Sequence, residues 1–265
     1  MRNIKLTIEY DGTNYCGWQI QPGCNTIQGI LESTLSKITK SKVDVIGAGR
    51  TDAGVHALGQ VANFKTESNM TPNEFKLALN SLLPRDIVIN QVEEVDESFH
   101  SRFDAVSRTY HYTILNSKTP SAFLRNYVYL FPKPIDINIM NDACKYLIGT
   151  YDFSSYASLG DPIRNSIRTV TFAKWDLLNS NLSVLGYESG HQLIRFCIKA
   201  NAFLRGMVRA IVGTLLNVGI GKIDPEKVKE ILELRDRTKA GPSLPAKGLC
   251  LVSVDYQKQE RNCLE

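Results

Sequence analysis

The order in which the apolar period changes limits the topologies open to this chain more than any other feature. Ile4, Leu6, Ile8 and Tyr10 alternate with polar residues, the two-residue period of a half-buried strand. Asp11-Gly12-Thr13-Asn14 follows as a turn, and Ile27, Ile30, Leu31, Leu35 and Ile38 then recur at helical spacing. Asn25 and Gln28 have the form of a capping box at the start of that helix. Short strands are predicted over 43–46 and 60–66, on either side of a glycine-rich run. Thr71-Pro72-Asn73-Glu74 places a threonine cap, a proline at the first helical position and a glutamate three residues after the cap. That helix ends by Pro84, and 87–95 is a further strand. The first hundred residues therefore read β-α-β-β-α-β, a ferredoxin-like unit.

The order recurs. A strand is predicted over 107–115. Asp136 caps a helix carrying Ile139, Met140, Ala143, Cys144 and Leu147, with Gly149 beyond its end. Strands over 167–178, 182–188 and 192–199, helices over 202–217 and 224–234, and a last strand over 249–256 complete the chain. The fold class is α+β, with two ferredoxin-like halves, 1–105 and 106–265, alike in element order rather than in residues. In the helix over 202–217, Leu204, Met207, Val208, Ile211, Val212, Leu215 and Leu216 form one stripe. Gly206, Ala210 and Gly213 form the opposite side and admit close packing. Arg205 and Arg209, one turn apart, fall at the edge between them, where a half-buried guanidinium needs an acceptor or must reach out to solvent.

Between the second and third strands lies Gly47-Ala48-Gly49-Arg50-Thr51-Asp52-Ala53-Gly54-Val55-His56-Ala57, which has neither period. Glycine lets backbone turn sharply or approach a neighbour closely. The run is either a plain turn or a bent loop that presents Arg50, Asp52 or His56. The second half has no counterpart, because the corresponding region near Gly190 lacks an aspartate.

Composition excludes several classes. With 43% hydrophobic and 22% charged residues the chain is not of disordered type, and a net charge of +4 permits a polyanionic partner without requiring one. The six cysteines, at 16, 24, 144, 197, 250 and 263, include no Cys-x-x-Cys pair and match neither a zinc site nor a disulfide framework. Scattered thiols, an N-terminus that enters a strand directly, and an apolar stretch at 202–218 interrupted by Arg205 and Arg209 predict a cytoplasmic protein without a membrane span.

Several segments, in order, carry a resemblance. They are Tyr10-Asp11-Gly12-Thr13 with Gly17-Trp18-Gln19, Gly49-Arg50-Thr51-Asp52-Ala53-Gly54-Val55-His56-Ala57, and Ser98-Phe99-His100 with Arg102-Phe103. Arg108-Thr109-Tyr110-His111-Tyr112, Phe203-Leu204-Arg205-Gly206-Met207-Val208-Arg209 and Gly248-Leu249 complete the set. Together they resemble the tRNA pseudouridine synthase A family and span nearly the whole chain. The resemblance implies a homodimer of α+β subunits in which two ferredoxin-like halves share an extended, mainly antiparallel sheet with helices on one side. It also implies conversion of uridine to pseudouridine at positions 38, 39 and 40 of the tRNA anticodon stem-loop, without metal or cofactor.

By the same resemblance Asp52 is the catalytic carboxylate, Tyr110 belongs to the substrate pocket and Tyr112 is structural. Arg209 pairs with the aspartate, Leu249 lines the uracil pocket, and Arg50 occupies the space left when the uridine leaves the stack. Arg205 stands where the family varies and is assigned to a phosphate, as are Arg102, Arg108, Arg125, Arg164, Arg168 and Arg195, each of which could equally be solvated charge. His56 is the side-chain type of a general acid or base, but the family chemistry leaves it as a prop for the loop. Ile20, Ser101 and Ser243-Leu244-Pro245-Ala246 depart from the family's usual residues and bear on how the tRNA is gripped. Two rivals are a silent tRNA-binding or folding protein on the same scaffold, and a hydrolase with a metal on Asp52, His56 and His100.

Overall fold

The computed structural model describes residues 1–158, 165–178 and 192–257. Along them run β1 (Arg2–Tyr10), α1 (Ile27–Thr39), β2 (Ile46–Gly47), β3 (His56–Thr66), α2 (Pro72–Leu82), β4 (Ile87–Val95) and β5 (Ala105–Asn116). There follow β6 (Tyr129–Phe131), α3 (Ile137–Cys144), β7 (Gly149–Asp152), β8 (Ile167–Leu178), β9 (Gln192–Ala200), α4 (Met207–Gly219), α5 (Lys227–Leu234) and β10 (Leu249–Tyr256). The fold is α+β, with one large sheet ordered β4-β1-β3-β10-β5-β9-β8-β7, β2 beside β3 and β6 beside β5. Its pairings are antiparallel except β3 with β10 and β5 with β6. The order β4-β1-β3-β2 is that of a ferredoxin-like unit, and β10-β5-β9-β8 repeats it.

The joint between the two sets follows from a short strand. β2 pairs with β3 only at Ala62 and Asn63, which leaves His56 and Ala57 free to pair with Cys250 and Leu251 of β10. β3 therefore begins at His56, four residues before the strand expected from periodicity. Register aligns one apolar face across the joint: Ile4 opposite Phe64, Leu6 opposite Ala62, Leu251 opposite Tyr110, and Tyr110 opposite Ile198. All of these are buried. Helix α2 covers this face through Phe75, whose ring meets Phe64 edge-on at 5.6 Å, and Trp175 packs on Phe196 at 5.0 Å. Each such aromatic contributes about 1.5–3 kcal/mol by burial.

The helix caps follow their side chains. Thr71 and Glu74 form the expected capping box on α2, and Asp136 accepts from the backbone N–H groups of Asn138 and Ile139 at the start of α3. On α1 the cap is Thr26, whose hydroxyl accepts from Gly29 N, and not Asn25. The Asn25 carbonyl is taken by Cys16 N at 2.8 Å, and the Gln28 amide donates to Glu32 and to the Val45 carbonyl. Helix α4 starts at Met207, five residues later than the helix expected over 202–217, because Gly206 precedes it at φ +70°. Arg205 thus stands in the loop before the helix. The small-residue side of α4 is closely packed: a Cβ on Gly213 would lie 1.9 Å from the Pro242 carbonyl oxygen. Strands β6 and β7 are additions to the expected pattern, while the strand expected over 182–188, Gly190 and Arg164 lie outside the described residues. Among the described residues no helix is long and apolar enough to cross a membrane.

Candidate active site

The glycine-rich run leaves β2, turns, and enters β3, and the segment after β1 supports it from below. Trp18 N donates to the Thr51 carbonyl at 3.0 Å, Gly54 N donates to the Tyr15 carbonyl at 3.3 Å, and Val55 N closes the turn onto the Asp52 carbonyl at 3.1 Å. Gly17 makes the contact possible: its φ is +89°, and a Cβ there would stand 2.5 Å from the Thr51 carbonyl oxygen. Gly54, at φ +76°, supplies the second left-handed residue of the turn. On the other side the Thr51 hydroxyl meets the buried Tyr10 hydroxyl at 2.7 Å, and Gln60 Nε2 donates to the Gly49 carbonyl at 2.9 Å. The residues around Asp52 are therefore pinned to β1, β3 and the 12–18 segment, while the carboxylate itself is half-buried.

Two arginines face that carboxylate. Arg209 Nη1 donates to Asp52 Oδ2 at 3.3 Å, and its Nε donates to the Leu244 carbonyl. Leu244 N returns a bond to the Arg209 carbonyl, so the 240–244 strip packed on α4 fixes the guanidinium. Arg205 Nε stands 3.7 Å from Asp52 Oδ1 and is largely exposed. Surface pairs of this kind stabilise little; what they fix is direction. Tyr110 is 9% exposed, with Phe203 edge-on against its ring at 5.1 Å. Burial pushes the Tyr110 hydroxyl well above its ordinary value; the Arg108 charge opposes this and the Asp52 charge adds to it. Leu249 is buried opposite Tyr112, two pairs along from Leu251 and Tyr110 and so on the same face. The structure thus brings Asp52, Tyr110, Arg209 and Arg205 together. Leu249 lies on the Tyr110 face, and Arg50 is exposed on the loop two residues before Asp52.

Other groups hold these segments in place. Arg108 is not free for a phosphate: Nη1 donates to the carbonyls of Ala105 and Asn201, and Nη2 to those of Ala48 and Arg102. One guanidinium thus ties the glycine run to the strand of Tyr110 and to the chain that leads to Arg205. Its spacing of two from Tyr110 on one strand was the available signal. Arg125 donates to the Ala122 carbonyl and Arg168 to the Ile167 carbonyl. Arg102 is exposed and Arg195 half-buried.

His56 has a partner on each ring nitrogen. Gly12 N lies 3.1 Å from Nδ1, as does Asp11 Oδ1, and Nε2 lies 2.9 Å from the Asn126 carbonyl oxygen. Tyr127 covers the ring and donates to Asp11, so residues 126–127 latch onto the loop from the other half of the chain. Nδ1 of His100 accepts from Arg102 N and Phe103 N. Both histidines thus have structural partners, and among the described residues no three His, Cys, Asp or Glu side chains converge. Tyr112 donates to the Pro245 carbonyl from full burial, a structural role. Ser101, one of the departures, donates its hydroxyl to the Ile46 carbonyl at the head of the glycine run.

Comparison with known proteins places this geometry. A family profile described as tRNA pseudouridine synthase matches residues 6–104 and 143–257. A protein of Clostridium perfringens called tRNA pseudouridine synthase A 2 is 49% identical over 97% of this chain and 100% of its own length. Proteins called tRNA pseudouridine synthase A from Caldicellulosiruptor saccharolyticus and Acetivibrio thermocellus are 48% and 46% identical over the same shares. A chain in a crystal structure of a Cbf5-Nop10-Gar1 complex is 13% identical, with 80% of this chain and 45% of that one covered, at a TM-score of 0.32, too low to bear on the fold. The full-length identity, together with a profile match that includes Asp52 and Arg209, shows that the chain belongs to the tRNA pseudouridine synthase A family.

Proposed function

We propose that this protein isomerises uridine to pseudouridine in tRNA, at positions 38, 39 and 40 of the anticodon stem-loop, with Asp52 as the catalytic carboxylate. The observation that carries the reading is the pinned loop that presents Asp52 to Arg209 beside Tyr110. The reaction breaks the bond from uracil N1 to ribose C1′, forms the bond from C5 to C1′, and moves a proton off C5 while N1 gains one. Atoms balance without a redox partner. A carboxylate can serve such a rearrangement as nucleophile or base. Arg209 keeps its oxygens in one orientation, the Tyr110 ring stacks on the base, and Leu249 closes the apolar side of the pocket. Arg50 fills the stack that the uridine vacates, which offsets part of a cost of a few kcal/mol. Arg205, beside the carboxylate but exposed, neutralises a phosphate as the RNA enters. We read the chain as two halves, 1–105 and 106–265, with the loop on the first and Tyr110 and Arg209 on the second, acting as a cytoplasmic homodimer.

The test is an anticodon-arm uridine in a purified tRNA, scored for pseudouridine after incubation with the wild type or with Asp52→Ala. The expected result is conversion by the wild type, with and without a chelator, and none by the variant at matched tRNA binding. Equal, absent conversion by both would leave a tRNA-binding protein in place of an enzyme.

A further inference from the structure

The geometry points to Phe103, flanked by His100 and Arg102, as a stacking platform for an unpaired nucleobase close to the reactive uridine; this rests on the reading of the protein as a tRNA-modifying enzyme. Phe103 is 74% exposed. A single exposed phenylalanine is common and by itself says nothing. What sets this one apart is the turn that displays it. His100 N donates to Asp104 Oδ2 at 2.7 Å, and Asp104 N donates back to the His100 carbonyl at 3.1 Å. His100 Nδ1 accepts from the backbone of both Arg102 and Phe103. Ser101 is fully buried: its N–H donates to Asn63, its hydroxyl to the Ile46 carbonyl, and its carbonyl accepts from the Tyr256 hydroxyl. Arg108 takes the Arg102 carbonyl. Every residue from 100 to 104 is therefore hydrogen-bonded in place, and the result is a phenyl ring held out into water.

The ring is also dressed for a base. The His100 ring lies 4.3 Å from it at 34°, and the Arg102 guanidinium stands 5.7 Å from its centroid. An aromatic face with arginine beside it is how proteins hold single-stranded RNA, because every base has a π-face and every nucleotide a phosphate. The platform is fastened to the site. Nη2 of Arg108 bonds the Arg102 and Ala48 carbonyls together, and Ser101 holds Ile46, so the turn adjoins the run that carries Arg50 and Asp52. Asp52 is four residue steps from Ala48, at most roughly 14 Å of chain. An unpaired base near a uridine seated at Asp52 is within that reach.

The experiment measures affinity, which does not depend on turnover. Binding of a tRNA with uridine at position 39 is compared for wild type, Phe103→Ala and Phe103→Trp. The set is repeated with tRNAs carrying one abasic nucleotide at successive positions of the anticodon loop. Loss of one stacked base is expected to weaken binding about 5- to 150-fold, for Phe103→Ala and for one abasic position alike, with no further loss when the two are combined. Phe103→Trp retains the face and should bind like the wild type. Affinity unchanged in Phe103→Ala would overturn the proposal. So would a loss that adds independently to every abasic position, or a change in oligomeric state that assigns the ring to a second copy of the chain. If the wild type binds tRNA but makes no pseudouridine, the function proposed above fails while this measurement still decides the platform.

Discussion

At Asp52 the two carboxylate oxygens face different arginines, and the surroundings of those arginines decide what each can do. Arg209 is held by its own Nε bond to the Leu244 carbonyl, so Nη1 meets Oδ2 in one direction. Arg205 has no such second anchor among the bonds described and is 65% exposed at its side chain. Lysine in place of Arg209 keeps the charge, yet a single ammonium cannot span the Leu244 carbonyl and the carboxylate in fixed planar geometry. Arg209→Lys is therefore expected to lower the single-turnover rate of pseudouridine formation by about 10²-fold, the usual scale for one lost preorganised contact. Arg205→Ala should instead weaken tRNA binding and reduce the steepness of its salt dependence by about one ion. A lysine variant as fast as the wild type would remove Arg209 from the chemistry. Asp52, Tyr110 and Arg209 were legible as a set from their motifs, but their supports were not. Thr51 reaches Tyr10 across 41 residues, His56 reaches Asn126 across 70, and Arg209 reaches Leu244 across 35. A hydroxyl or a carbonyl leaves no periodic mark in sequence to announce a distant partner.

The glycine run is an element in its own right, and its glycines are not equivalent. Density of glycine suggested a bent loop; the sites that need glycine are set by what lies underneath. Gly17, outside the run, stands against the Thr51 and Asp52 backbone at positive φ, whereas a Cβ on Gly49 would meet nothing within 4 Å. Gly17→Ala must therefore both strain the backbone, by about 1–3 kcal/mol, and push away the peptide that precedes Asp52. Gly49→Ala should leave melting temperature and turnover close to wild type. Thermal melts and single-turnover rates on the two variants test this, and a Gly17→Ala protein that melts and reacts normally would show that the 12–18 segment does not position the loop. The same limit explains the displaced start of α4. Its stripe begins at Leu204, so periodicity alone carries the helix back past Gly206, whose backbone is left-handed and where a Cβ would stand 2.3 Å from the Ser158 hydroxyl.

For the whole molecule, the element order of each half was readable from periodicity, but the joint between them was not. It depends on β2 being two residues long and on β10 filling the space left beside β3. That joint continues the buried face of the sheet, and burial there and elsewhere in the fold takes in several tyrosines. Burial raises the hydroxyls of Tyr10, Tyr15, Tyr110, Tyr112, Tyr156 and Tyr256 well above the ordinary tyrosine value. The consequence has a definite sign. Below about pH 10 both folded and unfolded chains keep these protons, and the burial contributes its full stability. Above it the unfolded chain releases protons that the folded chain retains, so the unfolded state binds fewer and stability falls as pH rises. Each tyrosine contributes up to about 1.4 kcal/mol per pH unit once its unfolded form ionises. Six such losses across a full unit reach about 8 kcal/mol, comparable with the roughly 5–15 kcal/mol that holds a folded protein of this kind together. The melting temperature is therefore expected to hold through pH 9 and then drop steeply between pH 10 and 11. The tyrosinate absorbance of these six, beyond that of exposed tyrosines such as Tyr127 and Tyr151, should appear together with unfolding rather than ahead of it. Ionisation of all the described tyrosines in the native protein, without loss of structure, would mean that these hydroxyls are open to solvent and that the central face is not sealed.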